Sequence, residues 1–596
     1  MSLSWIDLLI IALYMLGTLG LGMYIAKMAS TDMNAYFLAG KKIPWWALGV
    51  SNASGMFDIA GTMWLVAMCF VYGLKSVWLP WVWPIFNQVF LMIYLSLWLR
   101  RSNVMTGAQW LETRFGTGRG VELCQLVVVA FAIVSAIGFI AYGFKGIGKF
   151  AAIFFPWQLS PDTYALIIFA VTTLYVIKGG MYSVVFTEVM QFVIMTIAAL
   201  AVGIIAMTLV SPEQIKAATP QGWDSIWFGW QLDLNWTGLI DSVQHKVQQD
   251  NLELFGLMIM MMLFKGVLFS LAGPVPNYDM QRILAARTPK DAAKMSGFVS
   301  LVMFFPRYMM VAGLTVLALV FMGPEIQAQG AAFDFEQILP YAIQNFVPVG
   351  LAGLLIAGLL AAFMSTLAAS LNAAPVYIVN DIYKRYFRPD EPTQTYVRLS
   401  YWVSLLLVVV GVGLGFMLSS INDIMQWIFG ALFGGYAAAN LLKWHWWRFN
   451  AYGYFWGMMA GLVAALFLPL LLPDTHPLYA FPLLLLLSLV GSIAGTLLTP
   501  AESDEVLCSF YRQVRPWGFW RPVHDKVLAQ DPSFAADTHP WRDAFNILVG
   551  MTWQIALVAM PIYLVIQQWY QLALATMLAV LTSWILKKNW LDKLKD

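Results

Sequence analysis

Charge is what this sequence has least of. Of its 596 residues only 11% are charged, where a soluble domain carries about a quarter. The net charge of +2 is too small to suggest a nucleic-acid partner. Cysteine is scarce: Cys69, Cys124 and Cys508 form an odd set without metal-ligand spacing, and the first two lie in apolar segments. That excludes a disulfide framework and a redox site. The five histidines, His245, His445, His476, His524 and His539, fall in loops or at helix ends, and the sequence has no HExxH motif and no nucleophile–base pair. Enzymatic chemistry and an organic cofactor are therefore not expected. A cleaved leader is not expected either, because Ser2 to Trp5 run straight into an apolar stretch that reaches Ala26 and is long enough to span.

What is present is apolar. Hydrophobic residues make up 60%, with 45 Gly, 32 Met and 27 Trp, the last suited to the two lipid interfaces. Spanning runs fall at roughly 5–26, 45–73, 77–99, 121–150, 162–178, 181–210, 253–280, 296–322, 349–382, 397–418, 421–445, 451–472, 478–498, 544–566 and 569–587. The fold class is thus an all-α polytopic membrane protein of 14–15 spans, with the lipid bilayer as its solvent. The last two runs are separated by Gln567-Gln568-Trp569-Tyr570-Gln571 and form one long helix or a tight hairpin, the hairpin being preferred.

Loop charge supplies an orientation. Lys41 and Lys42, then Arg100, Arg101, Arg114 and Arg119, then Arg282, Arg287, Lys290 and Lys294, then Lys384, Arg385, Arg388 and Arg398 follow alternate spans. The stretch 500–543 is basic as well, whereas 211–252 has only Lys216 and Lys246, and 323–348 has neither Lys nor Arg. Positive loops lie inside. The N-terminus is then expected outside a cell (plasma or inner) membrane, with the C-terminus inside for fifteen spans and outside for fourteen.

Two spans are interrupted. The second carries Ser51-Asn52-Ala53-Ser54-Gly55, and the seventh carries Gly273-Pro274-Val275-Pro276-Asn277. Paired prolines forbid a regular helix, and broken backbone at membrane depth is tolerated only against protein or a water-filled cavity. The breaks are five helices apart. An odd offset inverts the second unit relative to the first, the arrangement of inverted-repeat transporters.

At this point the motifs are recognisable. Gly179-Gly180-Met181-Tyr182-Ser183-Val184-Val185-Phe186-Thr187-Glu188-Val189-Met190-Gln191 resembles the GG-x-x-A-V-x-x-T-D-x-x-Q signature of the sodium:solute symporter family. Thr106 to Phe115, Asp279 to Ala286, and Ala361 to Leu367 closing at Asn380-Asp381-Ile382-Tyr383 are similar to further segments of that family. Trp447-Arg448-Phe449-Asn450 and Phe455-Trp456-Gly457 resemble its sodium/glucose cotransporter branch. The resemblance implies a LeuT-like five-plus-five inverted repeat. Residues 1–44 would be an extra helix and loop, and 45–447 the core, with halves 45–250 and 251–447. Two peripheral helices (448–499), a cytoplasmic segment (500–543) and a C-terminal helix or hairpin (544–596) would follow.

By the same resemblance, Na+ is the coupling ion. Its ligands would be the carbonyls of Val50, Ala53 and Ala362 and the hydroxyls of Ser365 and Thr366. The residues agree, since Ser365-Thr366 is an adjacent hydroxyl pair in an apolar helix. The alternative is that both bond back to carbonyls one turn earlier. Glu188 stands where the family usually has a cation-coupling Asp, and otherwise reads as a solvated carboxylate at a helix start.

The substrate site is less legible. Asn52 and Gln426 match sugar-contacting residues of the glucose carriers, but that branch's Glu and Lys fall on Trp81 and Met303. Trp78, Trp81 and Trp83 form either a stacking wall or an interfacial belt. Asp58 lies one turn past the polar break and is expected to pair with Lys145 beside the cavity, and Lys265 and Arg307 also lie inside apolar spans. The expected partner is a small organic solute, a sugar or derivative ahead of a carboxylate or amino acid, carried by a monomer. A sensor or channel on the same fold is the rival reading.

Overall fold

The computed structural model describes residues 3–595 except 30–32, 79–84, 156, 251–253, 277, 331–332, 419–420, 422–423, 425–427, 429–431, 473–476 and 537–538. Among the described residues every named element is helical and none is a strand. The longer helices are α1 (Trp5–Ala29), α2 (Trp45–Met56), α3 (Ile59–Tyr72), α4 (Arg119–Phe154), α5 (Pro161–Leu209), α6 (Phe255–Ala272), α7 (Tyr278–Ala285) and α8 (Pro289–Phe321). They continue as α9 (Leu351–Ile378), α10 (Thr393–Met417), α11 (Phe433–His445), α12 (Ala451–Leu471), α13 (Pro477–Leu497), α14 (Asp504–Val514), α15 (Pro540–Val565) and α16 (Trp569–Asn589).

Each of the fifteen apolar runs carries helix. Among the described residues ten helices are long and apolar enough to cross a bilayer, and the bent pair α2–α3 makes eleven. The remaining runs have shorter described helix, such as Ile85–Arg101 in three joined pieces. Within α5 the helical path is interrupted at Gly180, whose φ of +58° favours a residue without Cβ and divides the fifth run from the sixth. The C-terminal runs are a hairpin: α15 and α16 pack on each other across a reversal at Ile566–Gln568, where Gln567 has φ +59°.

Both expected breaks exist, and one is displaced. The second lies where the prolines put it, α6 ending at Gly273 (φ +87°) before Pro274-Val275-Pro276. The first does not fall at Ser51–Gly55. Helix α2 runs regularly through those residues to Met56, and the chain bends by 58° at Phe57-Asp58. The polar residues stay helical because other helices supply their partners, whereas Asp58 can cap a new helix, its carboxylate accepting from the Gly61 N–H at 2.5 Å. Helix α2, the leading half of one broken helix, packs on α7, the trailing half of the other. Two oppositely inserted repeats place those halves at the same end.

The loops sort by charge. Lys41 donates to Asn103 at 2.6 Å, Arg100 to the Ala286 carbonyl at 2.6 Å, and Arg287 to the Lys42 carbonyl at 2.9 Å, so the basic loops meet one another. The loops poor in Lys and Arg meet through Asp241 and Gln327. At the basic end, α14 and the helix Arg521–Gln530 are tied to the core around Arg114. That buried guanidinium donates to the carbonyls of Lys443, Trp446 and Phe449 at 2.8, 3.0 and 2.9 Å. It also lies over the rings of Phe115, Phe510 and Trp520. Phe519 bridges to Trp446, and Arg101 donates to the Val514 carbonyl at 2.8 Å.

Candidate functional site

The two broken helices meet at a buried polar cluster. Glu188 on α5 and Arg282 on α7 form an ion pair at 2.6 Å, their side chains 0% and 1% exposed. Ser51 on α2 joins both: it donates to Glu188 and accepts from Arg282 Nε at 2.8 Å. Ser365 on α9 donates to the other Glu188 oxygen at 3.0 Å. Glu188 is therefore not the solvated helix-start carboxylate. It lies inside the bundle, with charge and hydrogen bonds met by three helices, the condition under which a buried pair survives desolvation.

A second carboxylate sits beside it. Asp279 accepts from Asn52 at 2.6 Å, and from Asn87 and Gln88 at 3.3 Å each. Asn52 is fully buried, with its amide nitrogen committed to Asp279, while its carbonyl oxygen has no partner among the described residues. Asn87 and Gln88 were not singled out by sequence reasoning, and Asp279 and Arg282 entered only within the family-like segment Asp279 to Ala286 and, for Arg282, as a loop charge. The signal available was an acid and a base flanking Gln281 directly after a Pro-broken span.

The hydroxyl pair divides its roles. Thr366 Oγ1 lies 3.0 Å from the Gly55 carbonyl and 3.1 Å from the Ala362 carbonyl, one turn back on its own helix. Ser365 turns instead to Glu188. The Ala53 carbonyl accepts the Phe57 N–H at 3.0 Å at the end of α2, and Val50 is half-buried on the same helix. The carbonyl end of α2 and the Thr366 hydroxyl of α9 are thus brought together at the first break.

The expected Asp58–Lys145 pair is not formed. Lys145 Nζ bonds Asp162 at 2.7 Å, near the start of α5. Asp58 accepts from Tyr142 at 3.0 Å and faces Arg307 on α8, whose NH2 is 4.0 Å from Oδ1. Both charges lie inside apolar spans, which suggested the pair, but Lys145, in the last third of α4, meets the Asp162 carboxylate instead. Lys265 is buried, its Nζ 5.8 Å from the centre of the Phe481 ring. Trp78 anchors the 211–252 segment, its indole N–H donating to the Ile226 carbonyl at 2.7 Å. Gln426, Trp81 and Trp83 lie outside the described residues.

Two broken helices packed on each other across a buried ion pair define a secondary carrier with a LeuT-like core. The model of the sodium:solute symporter family matches residues 36–461, and the chain belongs to that family. It is 24% identical over 525 residues to the sodium/glucose cotransporter of Vibrio parahaemolyticus, covering 85% of this chain and 92% of that one. To the sodium/mannose cotransporter of Bos taurus it is 27% identical over 560 residues, covering 84% and 87%. To the sodium/myo-inositol cotransporter of Bos taurus it is 24% identical over 598 residues, covering 90% and 78%. Among solved structures, a substrate-bound, outward-open Na+-coupled sialic acid symporter superposes with a TM-score of 0.64 at 19% identity, over 84% of this chain and 99% of that one. The fold is shared with that carrier. The function is sodium-coupled symport of a small organic solute.

Proposed function

We propose that this chain carries a sugar or related polyol into the cell by alternating access, driven by sodium bound at the first helix break. The observation that carries the reading is the position of Thr366, its hydroxyl 3.0 Å from Gly55 O and 3.1 Å from Ala362 O beside Ser365. Sodium is a hard cation that takes oxygen ligands, and a broken helix offers them as freed carbonyls at the midplane. Ser365, Thr366 and the carbonyls of Val50, Ala53 and Ala362 would hold the ion, with Gly55 O added to that set. Glu188 would sense the ion through Ser365, to which it is directly bonded.

The hydroxylated solute is supported by the relatives named for glucose, mannose and myo-inositol. In the cycle, sodium and solute enter from the end where 211–252 meets 323–348. Release at the basic end requires α2 and α7 to part, which strains the Ser51–Glu188–Arg282 and Asn52–Asp279 contacts. The basic end faces the cytoplasm, the N-terminus lies outside a cell membrane, and the monomer is the working unit. Asn52 and Asp58 would contact the solute, and Gln426 and Trp81, outside the described residues, are the further candidates from the sequence.

Uptake into proteoliposomes tests this. Hexoses, amino sugars, inositol, carboxylates and amino acids are offered under an inward sodium gradient, with choline replacement as the control. Hexose or inositol uptake that collapses in choline is expected. Uptake indifferent to sodium would overturn the coupling, and uptake confined to carboxylates or amino acids would overturn the solute class.

A further inference from the structure

The bend at Phe57-Asp58 leaves two helix ends facing each other, and each is filled by a side chain of opposite sign to its dipole. Asp58 caps the N-terminus of α3, accepting from the Gly61 N–H at 2.5 Å. Arg307 reaches from α8 to the C-terminus of α2, its NH1 donating to the Met56 carbonyl at 3.0 Å. Carboxylates are favoured at helix N-termini and cations at C-termini, so each group neutralises its own end. In carriers built this way, the N-terminus of a half-helix is the seat for an anionic group of the solute. Here the protein's own carboxylate occupies that seat.

The two charges are close without being joined. Arg307 NH2 stands 4.0 Å from Asp58 Oδ1, beyond hydrogen-bond reach, and Arg307 Nε has no partner among the described residues. The Asp58 side chain is 21% exposed and that of Arg307 11%, while Phe57, Ile59, Thr62 and Tyr308 around them are buried. Both side chains thus keep accessible surface at the break, beside the proposed sodium site.

We propose that Asp58 and Arg307 form a resident, net-neutral charge pair that contacts the solute and selects an uncharged polyhydroxylated molecule over its carboxylate and ammonium analogues. The inference rests on the sugar or polyol reading above and adds a rule of charge to it. A hydroxyl donates to Asp58 and accepts from Arg307 at once, so neighbouring hydroxyls on one ring satisfy both groups with no charge added. A carboxylate meets Asp58 and an ammonium group meets Arg307, and like charges brought together out of water are strongly disfavoured. The Phe57 ring, 5.8 Å from the Arg307 guanidinium, backs the pair on its dry side.

The test is sodium-driven uptake of glucose and myo-inositol, glucuronate, and glucosamine held in its ammonium form, by the full chain in vesicles. Wild-type protein is expected to prefer the neutral solutes by about tenfold or more. Asp58→Asn, which leaves Arg307 in excess, should raise the ratio of glucuronate to glucose about tenfold, and Arg307→Gln should do the same for glucosamine. The double variant D58N/R307Q is neutral again and should lose both gains, which a general leak would not; it also serves if a single variant does not fold. Wild-type uptake of glucuronate or glucosamine as fast as glucose overturns the pair, as do variants that keep the wild-type ratios. If no sugar is carried, the solute reading fails by itself. The charge rule is then read on the neutral, anionic and cationic members of the wider panel, where preference for an ion over its neutral analogue overturns it and preference for the neutral member supports it.

Discussion

The side-chain amide of Asn52 donates to Asp279 at 2.6 Å, fastening the leading half of one broken helix to the trailing half of the other. A residue matched to a sugar contact is thereby also a strut between the two repeats. Asn52→Ala removes a bond to a buried carboxylate that is shorter than those from Asn87 and Gln88. The variant should lose about 1–3 kcal/mol of stability, the cost of a buried polar partner left short. Thermal unfolding in detergent measures it, and an unchanged midpoint would refute the strut.

Glu188 and Arg282 are a stricter case, because both are inside the bundle. Glu188→Gln removes the ion-pair partner of a buried guanidinium and should destabilise by about 3–5 kcal/mol. Removing both charges, as in E188Q/R282M, should recover much of that loss. The measurement is the fraction extracted as a monodisperse peak, with its melting curve. A single variant as stable as the parent would refute the pairing.

The coupling assignment predicts a kinetic change without a folding change. With Ser365 and Thr366 both replaced by Ala, the sodium concentration for half-maximal uptake should rise about tenfold or more, equivalent to at least about 1.4 kcal/mol of ion binding. Surface amount and melting behaviour serve as the controls. Sodium dependence unchanged in the double variant sinks the site.

Topology is tested by reagent access. A cysteine at Gln327, in the segment poor in Lys and Arg, should be labelled by an impermeant maleimide from outside. One at Lys526, in the helix Arg521–Gln530 at the basic end, should be labelled only after permeabilisation. The reverse pattern would invert the whole arrangement.

The helices were legible because lipid selects for long apolar runs, and that demand is local. The second break was legible for the same reason, since Pro274 and Pro276 forbid helix whatever surrounds them. The first was misplaced because Ser51, Asn52 and Ser54 look helix-averse along the chain, and the partners that keep Ser51 and Asn52 helical are more than 130 positions away. Asp58 was read as a charge that pairs with Lys145; that it faces Arg307 instead depends on packing that no spacing encodes. Arg282 was misjudged for a related reason: counting loop charges gives the side of the membrane, not whether a side chain turns back into the protein.

Arg114 has a consequence for how the chain is made. It is buried in the finished protein, yet the carbonyls it holds lie 329 to 335 positions later, and the rings of Phe510 and Trp520 later still. A chain emerges from the ribosome in order and its early parts fold first. The basic end of this carrier therefore stays unfinished, with a charged side chain awaiting its socket, until almost the whole transport core has been inserted. A stop placed soon after Pro500 would leave every span of that core in the membrane and the socket of Arg114 permanently open on one side.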